Sequence, residues 1–182
     1  SEVVELAWAA TRPTAPLGLV VLTGGEPMRQ ACGYFVDQLL LRGFTHVQIE
    51  TAGNLWDPSL DSYLRHGTAS LVCSPKTPML HKEILARCSH WKYVITAGET
   101  SAEDGLPSAP TQANQPPSAR PARPWDNNGI AYNNHPKNTI WVSPCDAHSE
   151  WQNKANVSEA IRLSLRYGYR LSLQTHKMVG LP

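Results

Sequence analysis

Polar residues that can bind a ligand lie at the end of nearly every apolar run of this sequence. The first run, LVVL at 19–22, is followed directly by TGGEP at 23–27. Later runs end in ETAG at 50–53, SPK at 74–76, TAGE at 96–99, SPCD at 143–146 and QTHK at 174–177. In parallel α/β sheets, ligands bind where the carboxyl ends of the strands meet. Turns by themselves do not need Glu, Lys, Asp and His at these places, so the pattern favours a binding site.

The TGGEP motif has two interpretations. Gly24 and Gly25 let a ligand approach the backbone, and the Glu26 carboxylate can hold an ammonium group. The alternative is a tight turn in which Pro27 begins a helix and Glu26 caps it. The chain contains neither G-x-G-x-x-G nor G-x-x-x-x-G-K, so Rossmann and Walker nucleotide sites have no support. Glu50, at the end of an apolar run, is either a functional carboxylate or a solvated one.

Two Ser-Pro steps, at 74–75 and 143–144, share one arrangement. Proline ends the strand and the serine hydroxyl then faces the ligand side, although each step taken alone is better explained as a strand terminator. His176 lies three residues after the last apolar run, beside Lys177, and is a candidate ligand contact. The other histidines have no ligand spacing, which argues against a zinc site.

Composition is typical of a globular protein. The 182 residues are 41% hydrophobic and 17% charged, and the formal net charge is +1. Nucleic-acid binding therefore has little electrostatic support, and no apolar stretch approaches the roughly 20 residues of a membrane span. The cysteines are too scattered for a disulfide scaffold or a paired-Cys zinc site, which indicates reduced thiols in a cytosolic protein. They are Cys32, Cys73, Cys88 and Cys145.

Periodicity divides the chain into alternating strands and helices. The predicted strands are 19–22, 47–50, 69–73, 91–96, 139–142 and 171–173. The predicted helices are a short amino-terminal one (VVELAWAA), 28–42, 58–65, 80–88 and 157–167, the last with Asn156 as N-cap and Gly168 beyond its end. Residues 98–137 lack periodicity, which predicts an irregular insertion loop inside one domain of residues 1–182. The alternation predicts an α/β fold with a parallel sheet, either open or closed as a barrel.

Taken in order, the motifs resemble those of the 7-carboxy-7-deazaguanine synthase family of the radical S-adenosylmethionine superfamily. They are TGGEP, ETAG, SPK, DGLP…TQ, SPCD and the terminal LSLQTHKMVGLP, and they extend from about Leu19 to Pro182. GGEP alone is typical of the superfamily, whereas QTHK-x-x-G-x-P is more particular to this family. The resemblance implies a lyase that converts 6-carboxy-5,6,7,8-tetrahydropterin into 7-carboxy-7-deazaguanine with loss of ammonia, in queuosine and 7-deazapurine biosynthesis.

The family also implies an architecture and cofactors. We expect an incomplete parallel β/α barrel that uses S-adenosylmethionine, a [4Fe–4S] cluster and Mg²⁺. We also expect a cytoplasmic homodimer that receives electrons from a donor such as a flavodoxin. No nucleic-acid or membrane partner is expected.

The family's site residues can be placed on this sequence motif by motif. By this resemblance, the methionine amino group of the cofactor is held by Gly24, Gly25 and Glu26. The rest of the cofactor is contacted by Ser74, Pro75, Lys76, Ser143, Pro144, Cys145 and Asp146. The pterin is contacted by Thr23, His176 and the terminal carboxylate of Pro182. Glu50 serves either the cofactor ribose or the substrate, and we favour a catalytic role on the substrate.

The sequence departs from the family in two places. Many members have Gln-Pro where this chain has Ser143-Pro144. The family ligates its cluster with C-x-x-x-C-x-x-C, a spacing that the four cysteines do not show. Because the chain begins at Ser1 without Met, we expect that the cluster-binding segment is missing from it and that the chain alone is inactive.

Two alternatives to this enzyme stay open at the level of sequence. One is a non-catalytic relative that retains the ligand cleft as a binding module. The other is a different radical S-adenosylmethionine enzyme, which is compatible with GGEP but not with the carboxyl-terminal block.

Overall fold

The computed structural model describes residues 2–11, 17–110, 119–126 and 139–174. The chain divides into two compact units, and each is described separately below. The first comprises Ser1–Cys73 and His81–Ser89, and the second comprises Ser74–Leu80 and His90–Pro182.

The first unit alternates strands with helices. Its strands are β1 (Leu17–Leu22), β2 (Phe44–Thr51) and β3 (Ala69–Cys73). Its α-helices are α1 (Glu2–Thr11), α2 (Cys32–Leu41), α3 (Asp61–Arg65) and α4 (Lys82–Arg87), with short 3-10 helices at Pro27–Arg29 and Pro58–Leu60. Val36 and Leu39 of α2 are buried, as are Val47 and Ile49 of β2, so the apolar face of the helix covers one face of the sheet.

The second unit contains β4 (His90–Ile95), β5 (Ile140–Pro144), α5 (Glu150–Tyr167) and β6 (Arg170–Leu171). Its core is formed by alternate strand residues and by the inner face of the long helix. The side chains of Trp91, Tyr93, Val142 and Leu163 are all buried there. No helix of the described residues is long and apolar enough to cross a bilayer.

All strand pairs within the units are parallel. In the first unit β1 pairs with β2 and β2 with β3, and in the second β4 pairs with β5 and β5 with β6. Parallel neighbours place the carboxyl ends of their strands on one side, as the motif analysis requires. The predicted α/β class is confirmed, and its parallel strands linked by helices are consistent with an incomplete parallel β/α barrel.

The predicted helix 28–42 was wrong in its first turn. Residues 27–29 form a separate 3-10 helix, and α2 begins only at Cys32. The break occurs because Gln30 adopts an extended backbone conformation, with φ of −118° and ψ of 168°. The Cys32 N–H then donates to the Asp57 carboxylate at 2.8 Å and to the Gln30 carbonyl at 2.9 Å, and not to a carbonyl four residues back as in a continuous helix.

The predicted start of the last helix was also wrong, because α5 begins at Glu150 with Ser149 as its N-cap. Asn156 therefore lies within the helix and is buried. Its side chain forms hydrogen bonds with the segments that follow β4 and β5. The predicted end was correct, since Gly168 follows the helix in the left-handed conformation, with φ of 74°.

Part of the predicted insertion loop is firmly anchored within the second unit. The guanidinium of Arg123 is fully buried, and its Nε donates to Asp104 Oδ2 at 2.7 Å. Its Nη groups donate to the carbonyl oxygens of Pro121 at 2.7 Å and Pro107 at 2.9 Å. The same guanidinium lies 5.4 Å from the centre of the Tyr93 ring. Residues 119–126 are thus fixed against β4 despite their irregular sequence.

We predict that Arg123→Ala is strongly destabilising. Removing one partner of a buried ion pair costs about 3–5 kcal/mol, since the Asp104 carboxylate keeps its charge without compensation. The matched control is Arg120→Ala, which removes a more exposed ion pair with Asp126 and is expected to cost about 1 kcal/mol or less. Urea unfolding of both variants measures the difference. Equal losses in the two variants would contradict this role of burial.

Candidate functional site

The carboxyl ends of β1 and β2 are joined by the side chain of Glu26. Its Oε1 accepts hydrogen bonds from the Thr51 hydroxyl at 2.8 Å and from the Met28 N–H at 3.2 Å. Its Oε2 accepts a hydrogen bond from the Ala52 N–H at 2.8 Å. The Met28 contact caps the 3-10 helix at Pro27–Arg29, so the capping interpretation of Glu26 is confirmed.

Capping does not exhaust the acceptor capacity of this carboxylate. An ionised carboxylate has about four acceptor positions, and the three hydrogen bonds above use two on Oε1 and one on Oε2. A position on Oε2 therefore remains for a further donor. The carboxylate is also held from both oxygens, so its plane is fixed before any ligand arrives.

The two glycines before Glu26 form an open, exposed turn. Gly24 has φ of 116°, a conformation that side-chain-bearing residues rarely adopt. A Cβ atom added at Gly24 or Gly25 would meet no heavy atom within 4 Å. The glycines are therefore not required by packing against the protein, and the space above them is accessible to a ligand.

Glu50 lies next to Thr23 at the same end of the sheet. The Thr23 hydroxyl donates to Glu50 Oε2 at 3.5 Å, a long hydrogen bond across the ends of β1 and β2. Successive strand residues point to opposite faces, so Glu50 and Thr51 use different faces of β2. The structure thus brings Thr23 and Glu50 together on one face, while Thr51 contacts Glu26 from the other.

Asp57 also organises this site, and the motif analysis did not identify it. Its carboxylate accepts hydrogen bonds from the Cys32 N–H at 2.8 Å and from the backbone and hydroxyl of Ser59. The Ser59 hydroxyl in turn accepts from the Gly33 N–H at 3.1 Å. The segment between β2 and α3 therefore caps α2, which follows the TGGEP turn.

The surroundings of Asp57 favour its charged form. Burial acts to raise the pKa of the carboxyl, but hydrogen bonds from Ser59, Cys32 and Gly33 outweigh burial and lower the pKa below 3.8. The signal available in the sequence was the D-P-S step, since Asp before Pro and Ser is a common helix start.

The second unit carries the SPCD residues at the carboxyl end of β5. Ser143 is buried, and Pro144, Cys145 and Asp146 line a cavity of about 200 Å³. The remaining lining residues are Asn153, Val157, Leu173 and Gln174. Asp146 Oδ1 accepts hydrogen bonds from the His148 N–H at 3.0 Å and from Asn153 Nδ2 at 3.1 Å.

Asn156 fixes the two loops beside this cavity. Its Oδ1 accepts from the Ala97 N–H at 2.8 Å, and its Nδ2 donates to the Cys145 carbonyl at 2.9 Å. The amide therefore ties the segment after β4 to the segment after β5. The predicted role of Asn156 as a helix cap is therefore wrong. The signal available in the sequence was its spacing from the buried Ala160 and Leu163, which places all three on one face of the helix.

The SPK residues differ in exposure. Ser74 is half-buried, Pro75 is buried and Lys76 is exposed. The following residue, Thr77, accepts a hydrogen bond at its carbonyl from the Ala122 N–H at 2.8 Å. Residues 119–126 therefore also hold this motif. The predicted pterin contacts His176 and Pro182 lie outside the described residues.

The four cysteines belong to no metal-binding group among the residues that the structure describes. Cys32, Cys73 and Cys88 are buried, and Cys145 is half-buried. Burial, with the nearby Asp57 and Glu26 charges, raises the pKa of Cys32 to about 11. Burial and the neighbouring Cys88 likewise raise the pKa of Cys73. Among the described residues, no group of three or more His, Cys, Asp or Glu could hold a metal ion, so these residues do not fit a [4Fe–4S] cluster.

Curated relatives carry the name that the sequence motifs suggest. A 7-carboxy-7-deazaguanine synthase of Rhodospirillum rubrum is 42% identical over 169 residues, which are 90% of this chain and 65% of the relative. One of Rickettsia prowazekii is 31% identical over 91% of this chain and 60% of the relative. The chain is a homologue of the 7-carboxy-7-deazaguanine synthases. The resemblance to this family of the radical S-adenosylmethionine superfamily is thereby confirmed.

A third relative of the same name, from Aquifex aeolicus, is 34% identical over 42% of this chain and 35% of its own length. No profile of a known protein family matches the chain. The chain spans less than two thirds of the length of the relatives it matches. The homology therefore concerns this part of those proteins.

We predict that Asp57→Asn destabilises the first unit at neutral pH, by about 1 kcal/mol as for the loss of a helix cap. The folded-state pKa of Asp57 is lowered, so its contribution is complete above 3.8 and is lost as the pH falls through the lower folded-state value. The difference in unfolding free energy between wild type and variant should consequently shrink below that pH. Urea unfolding from pH 7 downwards measures it. A difference independent of pH would show that the Asp57 charge makes no contribution.

Proposed function

We propose that the protein to which this chain belongs is a 7-carboxy-7-deazaguanine synthase. It converts 6-carboxy-5,6,7,8-tetrahydropterin into 7-carboxy-7-deazaguanine with loss of ammonia, in queuosine and 7-deazapurine biosynthesis. The identity to curated synthases over 90% of the chain supports this proposal. The observation that carries it is the Glu26 carboxylate, which is held at the ends of β1 and β2 with an acceptor position left over.

The proposed cofactor is S-adenosylmethionine, and the residues of the first unit fit its amino end. Its ammonium group needs an anionic acceptor, and Oε2 of Glu26 offers one beside the exposed Gly24 and Gly25. We assign these three residues to the ammonium group. The rest of the cofactor is assigned to Ser74, Pro75, Lys76, Ser143, Pro144, Cys145 and Asp146. When bound, this cofactor supplies the radical chemistry of the superfamily.

The pterin is assigned to the carboxyl ends of β1 and β2, where Thr23 and Glu50 lie beside the TGGEP turn. Glu50 is the proposed catalytic carboxylate, and it accepts a long hydrogen bond of 3.5 Å from the Thr23 hydroxyl. His176 and Pro182 are the other proposed pterin contacts. The proposal also includes a cytoplasmic homodimer, an electron donor such as a flavodoxin, and no nucleic-acid or membrane partner.

The [4Fe–4S] cluster and Mg²⁺ belong to the proposal only as cofactors of the whole protein. The cysteines of this chain are scattered and mostly buried, and the pKa values of Cys32 and Cys73 are raised. Their spacing does not match the C-x-x-x-C-x-x-C triplet, so we propose that the cluster ligands are other cysteines of the whole protein. We propose that this chain by itself holds no cluster and is inactive.

We predict that the protein expressed from the complete gene forms 7-carboxy-7-deazaguanine from the carboxytetrahydropterin. The assay is anaerobic, with S-adenosylmethionine, Mg²⁺ and a reductant, and mass spectrometry detects the product. In the same assay Glu26→Gln should raise the concentration of S-adenosylmethionine needed for half-maximal rate. Loss of a hydrogen bond to a charged group is worth about 1.5–3 kcal/mol, or roughly 10- to 150-fold.

The matched control is Glu150→Gln, which changes an exposed carboxylate at the start of α5. It should leave the rate and the half-maximal concentration unchanged. Cofactor consumption without the deazaguanine product would contradict the proposed reaction. Product formation with an unchanged half-maximal concentration for Glu26→Gln would contradict only the role of Glu26.

A further inference from the structure

Thr51 donates its hydroxyl hydrogen to the Glu26 carboxylate. The residue ends β2 and is 2% exposed. Its Oγ1 accepts a hydrogen bond from the Gly53 N–H at 3.0 Å and donates to Glu26 Oε1 at 2.8 Å. A hydroxyl has one hydrogen to donate. Because Gly53 donates to its oxygen, that hydrogen is directed at Glu26.

The surrounding backbone holds this hydroxyl in place. Thr51 is β-branched and lies in a strand, where few χ1 rotamers are open to it. The Gly53 carbonyl accepts a hydrogen bond from the His81 N–H at 2.7 Å, which anchors the turn after β2 to the start of α4. The hydroxyl that donates to Glu26 is therefore held by strand β2 and by the anchored turn that follows it.

Two donors acting on the two oxygens determine how Glu26 is oriented. Thr51 holds Oε1, and the Ala52 N–H holds Oε2 at 2.8 Å. With both oxygens fixed, the remaining acceptor position on Oε2 points in one direction. Without the Thr51 hydroxyl, Oε1 would keep only the longer hydrogen bond from the Met28 N–H at 3.2 Å, so the carboxylate would be held less firmly in its orientation.

We propose that Thr51 is a positioning residue, which aims the Glu26 carboxylate at the ammonium group of the bound cofactor. This inference rests on the proposed function, in which Glu26 accepts from that ammonium group. Thr51 does not touch the cofactor itself. Its effect should therefore appear only for ligands that carry the ammonium group, whereas a general effect on folding would appear for every ligand.

The test uses two ligands and four forms of the protein expressed from the complete gene. S-adenosylmethionine carries the ammonium group, and 5′-methylthioadenosine retains the nucleoside and sulfur but lacks the amino acid part. Thr51→Val removes the hydroxyl at nearly constant volume, and Thr51→Ser retains it. The matched control is Thr45→Val, on an exposed residue of the same strand whose hydroxyl donates to the Gly18 carbonyl at 3.4 Å. Calorimetry measures the first ligand, and competition against it measures the second.

We expect Thr51→Val to weaken S-adenosylmethionine binding about tenfold or more, as for the loss of alignment at a charged acceptor. Its affinity for 5′-methylthioadenosine should match that of wild type. Thr51→Ser and Thr45→Val should bind both ligands as wild type does. Should Thr51→Val fail to fold, Thr51→Ala repeats the deletion with a smaller side chain.

The outcomes separate this inference from the proposed function. Equal weakening of both ligands in Thr51→Val would mean a structural role, and unchanged binding of both would mean no role; either result overturns the inference alone. Failure of the wild-type protein to bind S-adenosylmethionine would overturn the proposed function and this inference together.

Discussion

The hydrogen bonds of one carboxylate hold together the carboxyl ends of β1 and β2, where the TGGEP motif lies. Glu26 connects the turn after β1, the 3-10 helix that follows and the end of β2. A charge that is partly removed from water needs several donors to compensate it, and here the backbone and Thr51 supply them. These donors therefore define the position of the exposed glycine turn at the end of the sheet.

The same principle explains why the predicted helix 28–42 is divided. A helix running on from Pro27 would occupy the Cys32 N–H with an intrahelical partner. The extended backbone at Gln30 instead releases that N–H for Asp57, and the TGGEP turn becomes fixed from β2 and from the segment after it. The helical hydrogen bonds that are lost at this break are offset by the hydrogen bonds that cap the start of α2. The turn also remains open to ligands.

Irregular segments of the second unit are ordered by buried polar groups in a comparable way. Arg123 has no access to water, so each of its donors needs a protein acceptor, and these come from residues far apart in the sequence. Asn156 likewise uses both ends of its amide to join the segments that follow β4 and β5. Loops fixed in this way can present cofactor-binding residues without a regular secondary structure of their own.

The sequence by itself determined the α/β class, the alternation of strands and helices along the chain and the motifs at the strand ends, because apolar periodicity reports which positions of an element are buried. It also determined the end of α5, since Gly168 is suited to the left-handed conformation that ends a helix. Only the tertiary structure decided which groups these polar residues meet. Thr51 is 25 residues from Glu26, and Ala97 is 59 residues from Asn156. A hydrogen bond requires its donor and acceptor to lie within a few tenths of an ångström of about 2.9 Å, and no local pattern in the chain encodes the distance between such segments.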